Sequence, residues 1–191
     1  EDDERMSEPG LRNWRPRGVP SARPGNGPLR DWLDEPGSLT RRLRALAGEA
    51  FRVRVMDERW GRAWPDERRR LGRPVNEWFW LREVLLCQAD RPLVYARSVI
   101  PGTSLRGPLR RLRSLGRQPL GALLFGRYPV VRGAIEVAPL DARSRLGARA
   151  AARGDAPRWA RRSVFRIAGR PLLVTEVFLQ PLLEELSHAS D

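Results

Sequence analysis

The sequence predicts a single α+β domain, an antiparallel sheet of about six strands with a few short helices between them. Three observations carry the sheet. Residues 77–87 are apolar on both alternating faces and reach residues 92–100 through the turn Gln88-Ala89-Asp90-Arg91. A second pair, 162–168 and 172–179, flanks Gly169-Arg170-Pro171. Both read as β-hairpins. From Phe51 onward, Val53 and Val55 alternate with Arg52 and Arg54, the period of a strand with one buried face.

The elements follow in order. Residues 1–27 set five acidic against five basic residues, show no sustained periodicity and contain the loop-forming run from Arg17 to Gly27. They are expected to be a disordered tail, with the folded domain over 28–182 and a polar C-terminal tail over 183–191. Leu39, Leu43 and Leu46 fall at helical spacing behind Ser38, a good N-cap. After the strand at Phe51, a Trp-, Arg- and Pro-rich loop is expected to run to Val75. Two short helices come next, one around Leu109, Leu112 and Leu115 stopped by Gly116, the other opened by Pro119 and holding Leu120, Leu123, Leu124 and Phe125. Residues 132–137 read as a strand and 140–158 as a loop or weak helix. No internal repeat is evident.

Composition narrows the function. The chain has 191 residues, 41% of them hydrophobic, enough for one core. No uncharged stretch reaches the 18 or more apolar residues that a membrane-spanning helix needs, and no signal-like run opens the sequence. One cysteine, Cys87, allows no internal disulfide, and with a single histidine, His188, the soft ligands of a zinc site are missing. A cytoplasmic protein with no metal is expected. The net charge is +13, all 36 basic residues being Arg. That reads either as a coding bias toward Arg and Ala or as a field attracting anions. Arg68-Arg69-Arg70, Arg110-Arg111-Arg113 and Arg161-Arg162 are expected to be solvated faces, because no nucleic-acid-binding signature accompanies them. There is no phosphate loop and no dinucleotide fingerprint.

Two charges sit in the wrong company. Arg82 lies between Trp80 and Val84 on one strand face, and Glu176 between Val174 and Phe178. A guanidinium in apolar surroundings needs an anion, either a buried acid or a ligand carboxylate gripped by its two-pronged edge. A carboxyl so enclosed can hold or deliver a proton. Arg82 and Glu176 could also pair with each other, or Glu176 with another Arg. Free backbone amides at Leu39, after Ser38, and at Leu120, after Pro119, are further anion sites. His188 is expected to have no role, and Cys87 to be a buried small hydrophobe.

These residues lie in an ordered set of motifs: Asp31-Trp32-Leu33, Gly37-Ser38-Leu39-Thr40, Trp80-Leu81-Arg82-Glu83-Val84-Leu85-Leu86-Cys87, Arg97-Ser98-Val99-Ile100-Pro101, Gly116-Arg117-Gln118-Pro119-Leu120-Gly121, Ile135-Glu136-Val137, Arg161-Arg162-Ser163 and Gly169-Arg170-Pro171-Leu172-Leu173-Val174-Thr175-Glu176-Val177-Phe178-Leu179. The set resembles the chorismate pyruvate-lyase family, which splits chorismate into 4-hydroxybenzoate and pyruvate at the start of bacterial ubiquinone synthesis. The resemblance implies a monomer with a six-stranded antiparallel sheet, short helices covering a buried ligand site, and no metal or cofactor. It also implies that Arg82 binds the ring carboxylate, that amides at Leu39 and Leu120 assist, and that Glu176 meets the oxygen at the far end of the ring. Arg82 and Glu176 would be catalytic, and all four would bind substrate. The sequence departs from the family pattern in a longer 138–160 segment, in Pro139 where a basic residue is expected, and in residues 1–27.

Two other classes compete. An effector-binding domain of bacterial transcription regulators has a similar fold, but such proteins carry a winged helix, and residues 1–27 lack helical periodicity. A nucleic-acid binder would need a motif or an aromatic-basic platform, and neither is found.

Overall fold

The computed structural model describes residues 14–16, 27–124 and 129–188. Its centre is one antiparallel sheet of eight strands: β1 (Arg15–Pro16), β2 (Phe51–Gly61), β3 (Phe79–Gln88), β4 (Arg91–Pro101), β5 (Val130–Arg132), β6 (Glu136–Pro139), β7 (Pro157–Ile167) and β8 (Arg170–Leu179). The order is β1-β6-β7-β8-β4-β3-β2, with β5 also pairing with β7. The α+β class holds, and the strand count of six is corrected to eight. The extra members are the two- and three-residue strands β1 and β5, too short to display a period of two. β5 and β6 replace the single strand expected over 132–137. They are separated near Gly133, whose amide donates to the Val164 carbonyl oxygen at 2.8 Å.

Both hairpins form where the apolar runs end. The β3–β4 turn takes Ala89 to a φ of 51°, and the β7–β8 turn uses Ala168 at 48° and Gly169 at 76°, the left-handed geometry of tight turns. Six α-helices among the described residues cover the sheet: α1 (Pro28–Leu33), α2 (Leu39–Ala47), α3 (Pro65–Leu71), α4 (Leu120–Leu124), α5 (Arg145–Arg153) and α6 (Gln180–His188). Ser38 caps α2 as expected, its Oγ accepting the Arg41 amide at 3.2 Å. The helix around Leu109 and Leu112 is a 3-10 helix over Gly107–Ser114. α3 lies in the segment expected to be loop, and α5 gives definite helical form to 145–153.

The alternation of side chains splits the core into two layers. On one face Val84, Leu86, Ala96 and Phe178 meet Trp32 and Leu33 of α1, Leu39 and Leu43 of α2, and Leu182 and Leu186 of α6. Beside them Phe165 and Val174 meet Leu120. On the other face Leu85, Tyr95 and Val177 pack on α5, and Leu81, Val99 and Leu173 pack near Leu71 of α3. Cys87 is a buried free thiol in that second layer. Residues 183–188, expected in a polar tail, continue α6. Trp14 packs on the sheet with Arg162 over its ring, and Arg15 and Pro16 pair with Val137 and Glu136. The rest of the expected tail, residues 1–13 and 17–26, lies outside the described residues, as does Phe125 of the second short helix.

Candidate active site

The register of the central strands brings the charged residues into two neighbouring rows on the first face. Glu58 pairs with Arg82 and Arg82 with Ser98 across β2, β3 and β4, while Ala96 pairs with Glu176 and Glu176 with Arg161 across β4, β8 and β7. Strands about 4.8 Å apart and a rise of about 3.3 Å per residue separate the Arg82 and Glu176 Cα atoms by roughly 12 Å. Between these rows lies a pocket whose walls include Val84, Leu86, Phe165 and Val174, with Ser38, Leu39 and Thr40 of the α2 start and Pro119, Leu120 and Gly121 of the α4 start above. All four residues singled out from sequence, Leu39, Arg82, Leu120 and Glu176, line this one pocket.

Arg82 and Glu176 do not pair with each other. Arg82 is 2% exposed; its Nε donates to Glu58 Oε1 at 2.8 Å and its Nη2 to the carbonyl oxygens of Gly116 (2.8 Å) and Gln118 (3.1 Å). Its Nη1 makes no hydrogen bond to a described residue and is not sealed from solvent. Burial lowers its pKa, and Glu58 opposes that shift. Glu176 accepts from Arg161 Nε through Oε2 at 2.6 Å, leaving Oε1 without a described partner. The amides of Leu39 and Leu120 likewise make no hydrogen bond to a described residue.

Arg161 is the residue that sequence reasoning missed. Expected on a solvated face, Arg161 is 1% exposed, and its neighbour Arg162 is buried on the opposite side of the sheet, bonded to Asp66 and Glu136. Two adjacent residues on a central strand point to opposite faces, and here both faces are covered. Arg161 Nη1 donates to the carbonyl oxygens of Trp32 at the end of α1 and of Glu35 in the connection to α2, each at 2.9 Å. Arg132 reinforces that connection from β5, its Nη1 donating to the Glu35, Pro36 and Gly37 carbonyls. Three guanidinium groups and one carboxylate therefore line the pocket, which favours an anionic ligand.

The cover fits tightly. A Cβ on Gly121 would lie 3.0 Å from both Ser38 Oγ and Thr40 Oγ1, so glycine lets the α2 and α4 starts meet. The volume beneath is about 40 Å³. A recess of about 260 Å³, flanked by Arg41 and Arg44, lies on the outer side of the same seam. Among the described residues no group of three or more His, Cys, Asp and Glu residues is arranged to hold a metal ion. None of the described helices is long and apolar enough to cross a membrane.

On the opposite face a second arginine is handled differently. Arg97 is 1% exposed and uses all three nitrogens internally: Nε and Nη2 donate to Glu67 at 2.7 and 3.1 Å, and Nη1 to Glu83 at 2.8 Å, with the guanidinium 4.1 Å from the Trp64 ring centre. Burial opposes the Arg97 charge, but Glu67, then Tyr95 and Glu83, outweigh it and hold the pKa above its ordinary value. Burial in turn raises the Glu67 pKa despite Arg97.

Comparison with known proteins identifies the family. Residues 25–186 match the family model described as chorismate lyase. A probable chorismate pyruvate-lyase from Azoarcus sp. is 48% identical over 164 residues, covering 81% of this chain and 85% of that one. The chorismate pyruvate-lyase of Yersinia enterocolitica is 39% identical over 156 residues, covering 79% and 80%. Among solved structures, the effector domain of PhnF from Mycobacterium smegmatis shares the fold, with a TM-score of 0.52 at 18% identity over 76% of this chain and 90% of that one. With a family model spanning most of its length and relatives this similar over four-fifths of it, the chain belongs to the chorismate lyase family.

Proposed function

We propose that the protein is a lyase that converts chorismate to 4-hydroxybenzoate and pyruvate, the committing step toward ubiquinone, acting as a cytoplasmic monomer without metal or cofactor. The observation that carries this reading is the pairing of ends in one apolar pocket, with the open donor of Arg82 at one end and the open oxygen of Glu176 at the other. A six-membered ring with a carboxylate on one side and a hydroxyl opposite matches that polarity.

Arg82 Nη1 and the amides of Leu39 and Leu120 grip the ring carboxylate, and Glu176 Oε1 accepts the hydrogen bond of the ring hydroxyl. The apolar walls and the closed cover keep water out. The hydrogen on the hydroxyl-bearing carbon moves to the methylene carbon of the enolpyruvyl group as the adjacent ring carbon–oxygen bond breaks. That bond's oxygen becomes the keto oxygen of pyruvate, and the new ring double bond completes the aromatic product. Aromatisation drives the step, so the protein contributes mainly geometry. Glu176, held through Oε2 by Arg161, orients the substrate while the hydrogen moves within it.

The test is incubation of the purified protein with chorismate while 4-hydroxybenzoate and pyruvate are measured. Equimolar formation of both supports the reading. Tight binding of 4-hydroxybenzoate with no turnover would instead identify a non-catalytic effector-binding domain.

A further inference from the structure

Arg161 is built like Arg82. In each, Nε pairs with a carboxylate (Glu176 at 2.6 Å, Glu58 at 2.8 Å) and one terminal nitrogen holds backbone carbonyls of a covering segment. In each the remaining terminal nitrogen, Nη2 of Arg161 and Nη1 of Arg82, makes no hydrogen bond to a described residue and is not sealed from solvent. Both residues are almost wholly buried, and both line the pocket. A buried charge-assisted donor kept open in an apolar pocket is costly unless a ligand acceptor meets it.

Chorismate supplies that acceptor. Its enolpyruvyl ether sits on the ring carbon next to the one bearing the hydroxyl. With the ring carboxylate on Arg82 and the hydroxyl on Glu176, the side-chain carboxylate falls at the Glu176 end, beside Arg161. Arg132 also lines the pocket, but it pairs with Phe165, four residues along β7 from Arg161, whereas Arg161 stands directly opposite Glu176 and bonds to it. We infer that Arg161 is a substrate-binding residue whose Nη2 receives the side-chain carboxylate of the enolpyruvyl group. The inference rests on the chorismate-lyase reading and goes beyond it, because it distinguishes substrate from product. Chorismate has two carboxylates for two arginines, whereas 4-hydroxybenzoate has one, so cleavage empties the Arg161 subsite.

The test compares ligands with one and two carboxylates in wild type, Arg161→Gln and Arg161→Lys. The ligands are 4-hydroxybenzoate and its unreactive 3-carboxymethoxy derivative, titrated calorimetrically, alongside KM for chorismate. Both variants are expected to lose tenfold or more in affinity for the dicarboxylate and in KM, beyond whatever they lose for 4-hydroxybenzoate. An equal loss for both ligands would make Arg161 only a partner of Glu176 and a strap for the cover, and overturns the inference. So would no loss for either, or the same selective loss in Arg132→Gln with Arg161→Gln unchanged. Should both Arg161 variants fail to fold, the wild-type protein decides: the dicarboxylate must bind at least tenfold more tightly than its side-chain methyl ester, and equal binding overturns the inference. Failure of wild type to turn over chorismate counts against the proposed activity instead, since dicarboxylate selectivity can be read by binding alone.

Discussion

The two faces of the central sheet carry buried arginines of the same kind, yet they use them differently. Beneath α3 and α5, Arg97 donates every guanidinium nitrogen to Glu67 or Glu83, and Arg149 adds a further bond to Glu83 at 2.7 Å. Beneath α2 and α4, Arg82 and Arg161 each donate two nitrogens to the protein and keep a third open to the pocket. Burial alone does not distinguish the two cases. What separates Arg97 from Arg82 and Arg161 is the account of guanidinium donors, closed at Arg97 and open at the other two.

The largest effect that would break this comparison is on the structural face. Arg97→Ala leaves the Glu67 carboxylate buried without its main partner and takes from Glu83 one of the arginines it shares with Arg149, and should cost about 3–5 kcal/mol of stability, read from urea unfolding. A loss below about 1 kcal/mol would mean that the closed network is not structural.

On the functional face the corresponding effects fall on turnover. Glu176→Ala is expected to lower kcat by about 10²-fold or more, because the ring hydroxyl loses its acceptor and Arg161 its partner. Glu176→Gln keeps an oxygen for Arg161 and a polar group for the ring, so it should retain much of the rate. Similar severe losses in both, with folding intact, would restore Glu176 to the role of proton donor.

The smallest effect concerns the edge of the sheet. Trp14→Ala removes a ring packed beneath Arg162, 4.3 Å from ring centre to guanidinium, and should cost about 1 kcal/mol while leaving 4-hydroxybenzoate affinity unchanged. A melting temperature equal to wild type would show that the Trp14 ring adds nothing to the fold.

How much of this was legible depended on whether the signal was local. The hairpins were, since each has long apolar runs around a turn. α3 was not, because the residues it buries include Asp66 and Glu67 with only Leu71 apolar, so the sequence shows no amphipathic stripe. Arg82 and Glu176 stood out as single charges among apolar neighbours on their strands. Arg161 was hidden by its neighbour, since Arg161-Arg162 looks like a solvated pair until the register sets one opposite Glu176 and the other beside Asp66. That register is a long-range fact, and local periodicity carries none of it.

The most direct test of the open-donor account is the affinity of 4-hydroxybenzoate for Arg82→Ala, measured by calorimetry against wild type with unfolding curves in parallel. The account predicts an affinity lower by about 2–4 kcal/mol, the worth of a desolvated charge-assisted contact, with a stability loss smaller than that of Arg97→Ala. Wild-type-like affinity in a folded Arg82→Ala protein would contradict it, for then the open donor of Arg82 would not be where the ligand's carboxylate binds.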